Sequence, residues 1–272
     1  MRRTPAGAII SADDFGLSVE VNEAIELAHR QGFLTTASLM VAGPAAGDAI
    51  RRARRLPELA VGLHLVAVEG DASLPGSPPF GSDQLRLGID YAFNPRARRA
   101  LAAEIDAQFR AFAATGLRLD HANAHKHMHV HPTVGRLLIE TGLGFGLRAL
   151  RIPAEPPALM RALGVKQGLA ALTLYRWTAV LRHMARRANL VTNDWVLGLT
   201  WSGHMTIDRL RRAAPLLPPG LGEIYFHPAT AKNALLQRLM PDYEPEAELA
   251  ALLDAELRTA LGPARVWPSR RP

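Results

Sequence analysis

Five of the ten histidines of this 272-residue chain lie in one short stretch between Asp120 and Pro132. From His125 to His131 they occupy every second position, which is the side-chain period of an extended strand. The spacing predicts that these four imidazoles share one face of a strand, which ends where a helix begins near Pro132. Because imidazole is the commonest transition-metal ligand, this face is a candidate metal site.

The geometry of a strand limits how many of these histidines can bind one ion. Successive residues are about 3.3 Å apart along a strand, so four imidazoles in a row cannot reach the same metal. One or two are expected to be ligands, and the others, including His127 and His129, to line a pocket or hydrogen-bond to the ligands. The alternative is an exposed His-rich loop, or a tract that takes up metal adventitiously. The density of histidines favours a catalytic metal site over these two alternatives.

Two adjacent carboxylates, Asp13 and Asp14, follow the first apolar run. They could cap the next helix, but Ser18 is better placed for that role. Beside a metal, one carboxylate can be a ligand while the other remains a general base, because the cation keeps both of them ionised. The sequence therefore predicts a ligand and a base here.

Other polar residues come at the ends of later apolar runs. His64 is either a satisfied core residue or a ligand, and its position at a strand end favours ligation. Arg151 either pairs on the surface or contacts a pocket carboxylate and lowers the pKa of that group. His227 closes the apolar run that begins at Glu223 and is a candidate general acid. Trp201 belongs to a loop that either lines the pocket or carries no function.

These residues are positioned by alternating strands and helices. Strands are predicted at 8–10, 37–41, 61–66, 117–123, 147–152, 195–199 and 223–226. Helices are predicted to begin at Ser18 and to span 45–56, 95–115, 133–141, 157–187, 206–213 and 244–261. A long loop is predicted at 70–94. This alternation predicts a parallel sheet, and seven or eight repeats without a clear linker favour a (β/α) barrel formed by residues 1–272 as one domain. A doubly wound open sheet is the alternative. In a parallel barrel the catalytic residues lie at the carboxyl ends of the strands. The polar residues named in the preceding paragraphs all fall at such strand ends.

Composition narrows the function further. The chain has 48% hydrophobic residues and no cysteine, so it can bury a full core, and any metal must be held by His, Asp, Glu or water. Its net charge of +7 comes mostly from arginine, but the arginines are scattered and no nucleic-acid motif is present, so no nucleic-acid partner is expected. Neither a signal-peptide core after residues 1–5 nor an uninterrupted apolar run of about 18 residues occurs, which predicts a cytoplasmic protein.

Four ordered segments together resemble the YdjC-like carbohydrate deacetylases. These are Ala12–Gly16, Val61–Leu65, Asn123–His129 and Glu223–Pro228. The resemblance spans nearly the whole chain. It implies an irregular (β/α) barrel related to the polysaccharide deacetylases, and an enzyme that removes the acetyl group from an N-acetylated sugar.

Position by position, the resemblance also implies roles for individual residues. Asp14, His64 and His125 would hold one divalent cation, Zn²⁺ or Mg²⁺. Asp13 would be the base and His227 the acid. From the residues themselves, without the resemblance, we expect Arg151 to take part in catalysis. We expect His127, His129, Trp201 and Glu223 to line the substrate pocket or to hydrogen-bond to the ligands. An Asp-His-His site leaves positions open for a water and for the amide oxygen, so the metal would acidify the one and polarise the other.

The amino-acid sequence from His121 to Pro132 most resembles that of the hopanoid-biosynthesis branch of this family, HpnK. That resemblance implies an N-acetylglucosaminyl hopanoid glycolipid as substrate and a possible peripheral contact with the inner membrane. The stretch 169–190 mixes apolar residues with arginines, as in a helix that lies in a membrane interface. The alternative is a barrel helix that buries its apolar stripe, and it is favoured because every barrel helix needs such a stripe. A membrane helix would leave Trp177 exposed.

Three other functions remain open at this level. The substrate could be a soluble sugar similar to a chito-oligosaccharide. A non-catalytic basic metal-binding protein would need the histidines but neither Asp13 nor His227, so its function would survive an Asp13→Asn substitution. A nucleic-acid-binding protein would bind with a steep salt dependence.

Overall fold

The computed structural model describes residues 7–268, apart from the side chain at position 170. Residues 1–6, which precede the first predicted strand and bear on the absence of a signal peptide, lie outside the described part. The strands are β1 Ala8–Phe15, β2 Thr36–Leu39, β3 Ala60–Leu65, β4 Ala122–Ala124, β5 Ala149–Leu150, β6 Val191–Thr192, β7 Trp195–Leu197 and β8 Gly222–Phe226. They form one sheet in the order β6-β5-β4-β3-β2-β1-β8-β7, and every pairing is parallel.

Helices connect these strands and cover the sheet. They are α1 Val19–Gln31, α2 Ala46–Arg54, α3 Gln84–Phe93, α4 Pro95–Ala114, α5 Pro132–Gly144, α6 Pro157–Ala162, α7 Leu169–Arg187, α8 Ile207–Ala213, α9 Ala234–Leu239, α10 Pro245–Leu253 and α11 Ala255–Leu261. Ser18 caps α1 as predicted, because its hydroxyl accepts a hydrogen bond from the backbone N–H of Val21. Among the described helices, none combines the length and the apolarity needed to cross a bilayer.

The two ends of the sheet meet at a short seam. Strands β6 and β7 are neighbours in the chain but are not paired in a ladder; instead, Asn193 between them donates hydrogen bonds to the carbonyl oxygens of Ile152 and Trp195. Its side-chain oxygen accepts from the N–H of Ile152 at 2.7 Å. The eight parallel strands therefore curl into an irregular barrel, as predicted, in which side-chain hydrogen bonds replace part of the ladder.

The histidine-rich stretch is not the strand that its spacing predicts. Strand β4 ends at Ala124, and residues His125–Val130 form a 3₁₀ segment in which Lys126 and His127 have φ values of 48° and 55°. Such left-handed conformations are costly for residues other than glycine, and they turn the chain sharply toward α5. The prediction that the four histidines share one face is therefore wrong.

Other differences concern short elements. The predicted loop at 70–94 contains α3, and the two long predicted helices at 157–187 and 244–261 are each divided in two. Strand β6 has only two residues, too few to show any periodicity. Asp13 and Asp14 lie within the longer β1 instead of after it.

Helix α7 divides into two halves of different character. Its second half packs inward through the buried residues Leu181 and Ala185. Its first half is exposed, with 81% of Leu169 and 52% of Trp177 accessible to solvent. The favoured prediction of an inward-packed barrel helix holds only for the second half.

Candidate metal and catalytic site

Three predicted metal ligands converge at the carboxyl ends of strands β1, β3 and β4. The Oδ1 atom of Asp14 lies 3.2 Å from Nε2 of His64 and 3.2 Å from Nδ1 of His125. One ligand atom from each of the three residues lies within 4.8 Å of the other two. In the part of the chain that the structure describes, both carboxylate oxygens of Asp14 are buried without a hydrogen-bond partner. A buried carboxylate of this kind is a strong candidate to bind a cation.

Local backbone geometry brings these side chains together. Asp14 has a φ of 62°, and the pairing of β1 with β2 changes register between Ala12 and Phe15. Such a bulge re-aims a side chain at the end of a strand. His64 lies in β3, and His125 is the first residue after β4.

The electrostatics of the three residues fit a divalent metal. Burial raises the pKa of Asp14, but His125 and His64 outweigh this effect and hold the pKa well below its ordinary value. The carboxylate is therefore ionised and available. One carboxylate and two imidazoles form a donor set used by Zn²⁺ and other divalent metals, and three protein ligands leave coordination positions open.

Asn123 determines which nitrogen of His64 faces the metal position. Its amide nitrogen donates to Oδ1 of Asp13 at 3.1 Å and to the hydroxyl of Ser38 at 3.0 Å. The amide oxygen consequently faces His64 and accepts a hydrogen bond from Nδ1 at 2.7 Å. This places a proton on Nδ1 and directs Nε2 toward Asp14, which is the usual way a second residue orients a histidine ligand.

Asp13 is bound by Arg151 and is not among the three converging ligands. The guanidinium contacts both carboxylate oxygens, through Nη1 to Oδ2 and through Nη2 to Oδ1 at 3.0 Å. Burial raises the pKa of Asp13, but the charge of Arg151, assisted by that of His64, holds this pKa far below its usual range. Asp13 is thus ionised and fixed in orientation.

A second carboxylate balances the charge of Arg151. Nη2 of Arg151 lies 2.8 Å from Oε1 of Glu223, and Ser11 donates to the same oxygen at 2.7 Å. All of these side chains are buried. Glu223 therefore supports Arg151 from behind and does not line the cavity described below.

His227 follows β8 directly and lines the same cavity as the metal ligands. Burial lowers its pKa, and the carboxylates of Asp14 and Asp13 only partly oppose this effect. A lowered pKa makes the protonated imidazole a stronger acid. The backbone N–H of His227 donates to Oε2 of Glu248, which also accepts from the N–H of Met205 through Oε1 at 2.9 Å.

A single cavity of about 910 Å³ contains the converging groups. Its buried end is polar, with Asp13, Asp14, His64, His125 and His227 among the lining residues. Its lining also includes apolar residues, namely Met40, Val66, Phe80, Leu174, Leu199 and Leu239, and further polar ones such as Glu69, Lys126 and Arg238. The cavity is larger than one sugar ring requires.

The remaining predicted pocket residues have different positions. His127 lines the cavity, and its Nε2 lies 3.1 Å from the hydroxyl of Tyr225. His129 is buried behind the wall, where its Nε2 hydrogen-bonds the carbonyl oxygen of Arg151 at 3.0 Å. Trp201 is buried and packs under Arg209, whereas its neighbour Ser202 lines the cavity.

Several residues beside the candidate ligands, base and acid have no assigned role in the sequence prediction. Asn123 carried one usable signal, because it lies two residues before His125 and so on the same face of β4. Tyr225 lies two residues before His227 in β8 and could have been found in the same way. Glu248 carried no signal, because it belongs to α10, far away in the sequence from β8.

Comparisons with known proteins agree with this architecture. Residues 7–262 match the sequence profile of the family described as YdjC-like protein. A carbohydrate deacetylase of Brevibacillus brevis is 33% identical over 252 residues, which cover 92% of each chain. A carbohydrate deacetylase of Vibrio vulnificus is 39% identical over 133 residues, 46% of this chain and 50% of that protein.

Solved structures show the same fold at lower identity. A crystal structure from Enterococcus faecalis, named for cellobiose-phosphate cleavage, has a TM-score of 0.73 at 20% identity and covers 97% of this chain and 98% of the other. A lactam utilization protein from Thermus thermophilus has a TM-score of 0.50 at 16% identity, with 96% and 100% coverage. The profile match over nearly the whole described chain and the full-length relative show that this chain belongs to the YdjC-like protein family.

Proposed function

We propose that this protein is a metal-dependent hydrolase that removes the N-acetyl group of an N-acetylated amino sugar and releases acetate. The observation that carries the proposal is the convergence of Asp14, His64 and His125 beside Asp13 and His227 at the buried end of one cavity. The name carbohydrate deacetylase, given to the full-length relative from Brevibacillus brevis, supports the same reaction.

Asp14, His64 and His125 are the residues that would hold the divalent cation, Zn²⁺ or Mg²⁺. When bound there, the metal supplies a Lewis acid for the amide oxygen and lowers the pKa of a water molecule. The part of this chain is to orient the ligands: Asn123 holds His64 through Nδ1, and the bulge in β1 aims Asp14.

Asp13 accepts the proton of the attacking water at a carboxylate oxygen. Arg151 keeps that carboxylate ionised and oriented, and it prevents Asp13 from turning away toward the metal position. The water oxygen forms the new C–O bond to the acyl carbon. As the C–N bond of the amide breaks, His227 donates a proton to the nitrogen, so that the sugar leaves as a neutral amine. The acyl group leaves as acetic acid, which releases its remaining proton to solvent and becomes acetate.

The test is acetate release from N-acetylglucosaminyl substrates after chelation and addition of a single metal. We expect His64→Ala to lose metal and activity together. Asp13→Asn should keep the metal and lose turnover by about 10²- to 10⁴-fold, as is usual for a general base. Asp106→Asn, at an exposed carboxylate paired with Arg110, is the matched control and should be fully active.

Two results would refute this assignment of roles. Full metal content in the His64→Ala protein would remove His64 from the ligand set. Unchanged turnover of Asp13→Asn would exclude Asp13 as the base and would instead fit a non-catalytic metal-binding protein.

For the substrate we propose an N-acetylglucosaminyl hopanoid glycolipid, as in the HpnK branch of hopanoid biosynthesis. The sequence from His121 to Pro132 supports the branch, and the apolar residues among those that line the cavity would contact a lipid aglycone. The test compares kcat/KM for this glycolipid with that for N,N′-diacetylchitobiose. A higher value for the disaccharide would favour a soluble chito-oligosaccharide as the substrate.

We also propose that the first half of α7 contacts the membrane that contains this lipid. Tyr175 and Leu174 line the cavity, and the exposed Trp177 and Leu172 lie on the same helical segment. Arg176 adds a charge that anionic headgroups attract, worth about 1 kcal/mol for each such residue.

Co-sedimentation with anionic vesicles tests this contact. We expect binding at low salt that weakens at high salt and in Trp177→Ala, whereas Leu216→Ala, at an exposed leucine outside α7, should bind like the unmodified protein. Absence of sedimentation at low salt would contradict direct docking.

A further inference from the structure

His127 and Tyr225 form a hydrogen-bonded pair on the cavity wall. Nε2 of His127 lies 3.1 Å from the hydroxyl of Tyr225, and both residues line the cavity. The two rings meet edge to face, with centroids 5.5 Å apart. None of the steps described above for Asp13, His227 or the metal ligands uses either residue.

The pair lies next to the reacting groups. The ring of Tyr225 also packs edge-on against His227, at 5.6 Å between centroids, and the guanidinium carbon of Arg151 lies 4.7 Å from the centre of the Tyr225 ring. Tyr225 thus separates His127 from the candidate acid. A substrate whose amide nitrogen faces His227 brings its neighbouring groups close to the pair.

The surrounding backbone is shaped to hold this pair. Gly198 has a φ of 138°, and a Cβ atom built there would lie 2.7 Å from Cε1 of Tyr225. His127 itself has a left-handed φ of 55°, as does Lys126 before it at 48°. Strained conformations of this kind persist only where the surroundings enforce them, and they concentrate at functional sites.

Counting donors shows that the pair is incomplete by itself. If the tyrosine hydroxyl donates to Nε2 of His127, then Nδ1 carries an N–H, yet Nδ1 is buried and has no partner among the described residues. If Nε2 donates instead, the hydroxyl hydrogen of Tyr225 is unused and Nδ1 is an unused acceptor. In either arrangement the pair has a donor that no described residue accepts, and the hydroxyl of Tyr225 keeps unused hydrogen-bonding capacity: free lone pairs in the first arrangement and a free O–H in the second.

We propose that His127 and Tyr225 together bind one hydroxyl of the substrate sugar beside the scissile acetamido group and make the site selective for that hydroxyl. The inference rests on the proposed deacetylase function and adds a specificity-determining pair to it. A hydroxyl fits because it both donates and accepts, and so can match either direction of the His127–Tyr225 hydrogen bond. A buried polar group left unpaired by a substrate that lacks the hydroxyl causes strong discrimination.

The experiment measures kcat/KM of the metal-loaded protein on the methyl glycoside of N-acetylglucosamine and on its 3-deoxy, 4-deoxy and 6-deoxy analogues. The unmodified protein should discriminate against one of the three analogues by about 10- to 100-fold, the effect of one unsatisfied buried group. Tyr225→Phe should lower kcat/KM for the parent sugar but leave the value for that one analogue nearly unchanged. His127→Gln should weaken the same discrimination.

Tyr91→Phe is the matched control, because it removes another buried tyrosine hydroxyl, one that donates to the carbonyl oxygen of Ala67 at 2.8 Å. It should leave the discrimination among the four sugars intact. If Tyr225→Phe and His127→Gln lower kcat/KM equally for all four sugars, the inference is wrong while the proposed function stands. If the unmodified protein releases acetate from none of the four sugars or larger N-acetylglucosaminyl substrates, the proposed function fails, and this inference fails with it.

Discussion

Nδ1 of His64 donates a hydrogen bond to the side-chain oxygen of Asn123 over 2.7 Å, and this contact links the candidate base to the candidate metal ligands. The amide group of Asn123 cannot be reversed, because its nitrogen must donate to the carboxylate of Asp13. The ionisation of Asp13 therefore determines, through one amide, that Nε2 of His64 is the nitrogen that faces Asp14. Base and ligand form one connected unit.

Replacing Asn123 by alanine should weaken metal binding without removing any ligand. We expect the dissociation constant for Zn²⁺ to rise about 10- to 100-fold, as is typical when the partner of a ligating histidine is lost. Competition with a fluorescent chelator measures it. Asn193→Ala, at another buried asparagine with a full set of hydrogen bonds, should lower stability but leave the metal affinity unchanged. Equal affinities in the Asn123→Ala protein and the unmodified protein would contradict the orienting role.

Metal affinity should fall as the pH is lowered. In the metal-free protein, burial lowers the pKa of His64, but Asp13 and Asp14 outweigh burial and raise it above its ordinary value. A metal binds only the deprotonated Nε2, so below this raised pKa each pH unit should cost about tenfold in apparent affinity. Asp14, whose pKa is depressed, stays ionised over the same range and adds no such dependence.

Calorimetric titration with Zn²⁺ at pH 6 and pH 8, in buffers of different ionisation enthalpy, checks both the affinity and the number of protons released. More protons should be released at pH 6 than at pH 8. An affinity that does not change between these two values would show that His64 is not protonated in the metal-free protein.

Loss of Arg151 should be among the most damaging substitutions to the fold. Arg151→Met leaves Asp13 and Glu223 buried without their cation. This change should lower the free energy of unfolding by about 3–5 kcal/mol. Urea unfolding of the metal-free protein measures this cost. Arg136→Met, at an exposed pair with Glu140, should cost less than about 1 kcal/mol.

The cost of Arg151→Met should also depend on pH in a definite direction. In the unmodified protein the depressed pKa of Asp13 contributes stability that is present above the ordinary value of 3.8 and is lost as the pH falls through the folded-state value. Without Arg151, burial raises the pKa of Asp13. In acid the Asp13 carboxylate of the variant should therefore become protonated and no longer be a buried charge without a partner. The stability difference between the two proteins should therefore narrow below about pH 5. If the difference in the free energy of unfolding stays constant with pH, the cost of Arg151→Met does not come from the buried charge of Asp13.

The fold and the convergence of the candidate site residues were largely predictable from the sequence, for one physical reason. Parallel strands place their carboxyl ends at one edge, so Asp14, His64 and His125 could be placed together without knowledge of any distance. The ladder of alternating strands and helices also predicted the barrel. Both arguments depend only on the order of elements along the chain.

What could not be predicted depends on local backbone turns and on partners far apart in sequence. The left-handed conformation of Lys126 has no signature in residue type, and that of His127 has only a weak one, because histidine is enriched at positive φ but still adopts it rarely. The contact of Glu248 with the backbone of His227 joins α10 to the end of β8 and could not be read from either segment alone. The sequence leaves open whether the loop of Trp201 lines the pocket; in the structure Ser202 of this loop lines the cavity, whereas the ring of Trp201 is buried.

Glu248 should influence the protein through its own titration. Burial raises its pKa to about 7, although the N–H groups of Met205 and His227 oppose this. A folded-state pKa above the ordinary 4.5 means that this group contributes stability that is full below pH 4.5 and is lost as the pH rises through about 7. Glu248→Gln should remove that part of the pH dependence.

Thermal unfolding of metal-free protein between pH 4.5 and pH 8 compares the two proteins. The same substitution replaces one of the two acceptor oxygens by an amide NH₂, so the N–H of either Met205 or His227 loses its acceptor, while metal content should stay the same. Identical slopes of stability against pH in both proteins would contradict the raised pKa.

A methyl group added at Gly198 should displace Tyr225. The new Cβ would lie 2.7 Å from Cε1 of Tyr225 and 2.9 Å from its carbonyl oxygen, and the φ of 138° is one that side chains with a Cβ rarely adopt. Gly116→Ala is the control. Gly116 also has a positive φ, of 72°, but no atom lies within 4 Å of the added methyl group. This variant should therefore lose only the about 1 kcal/mol of stability that the backbone conformation costs. We expect Gly198→Ala to be clearly less stable than Gly116→Ala in urea unfolding and to shift the near-ultraviolet circular dichroism of the buried tyrosine. Equal stabilities would mean that strand β8 moves aside freely, and that the position of Tyr225 is not enforced by its surroundings.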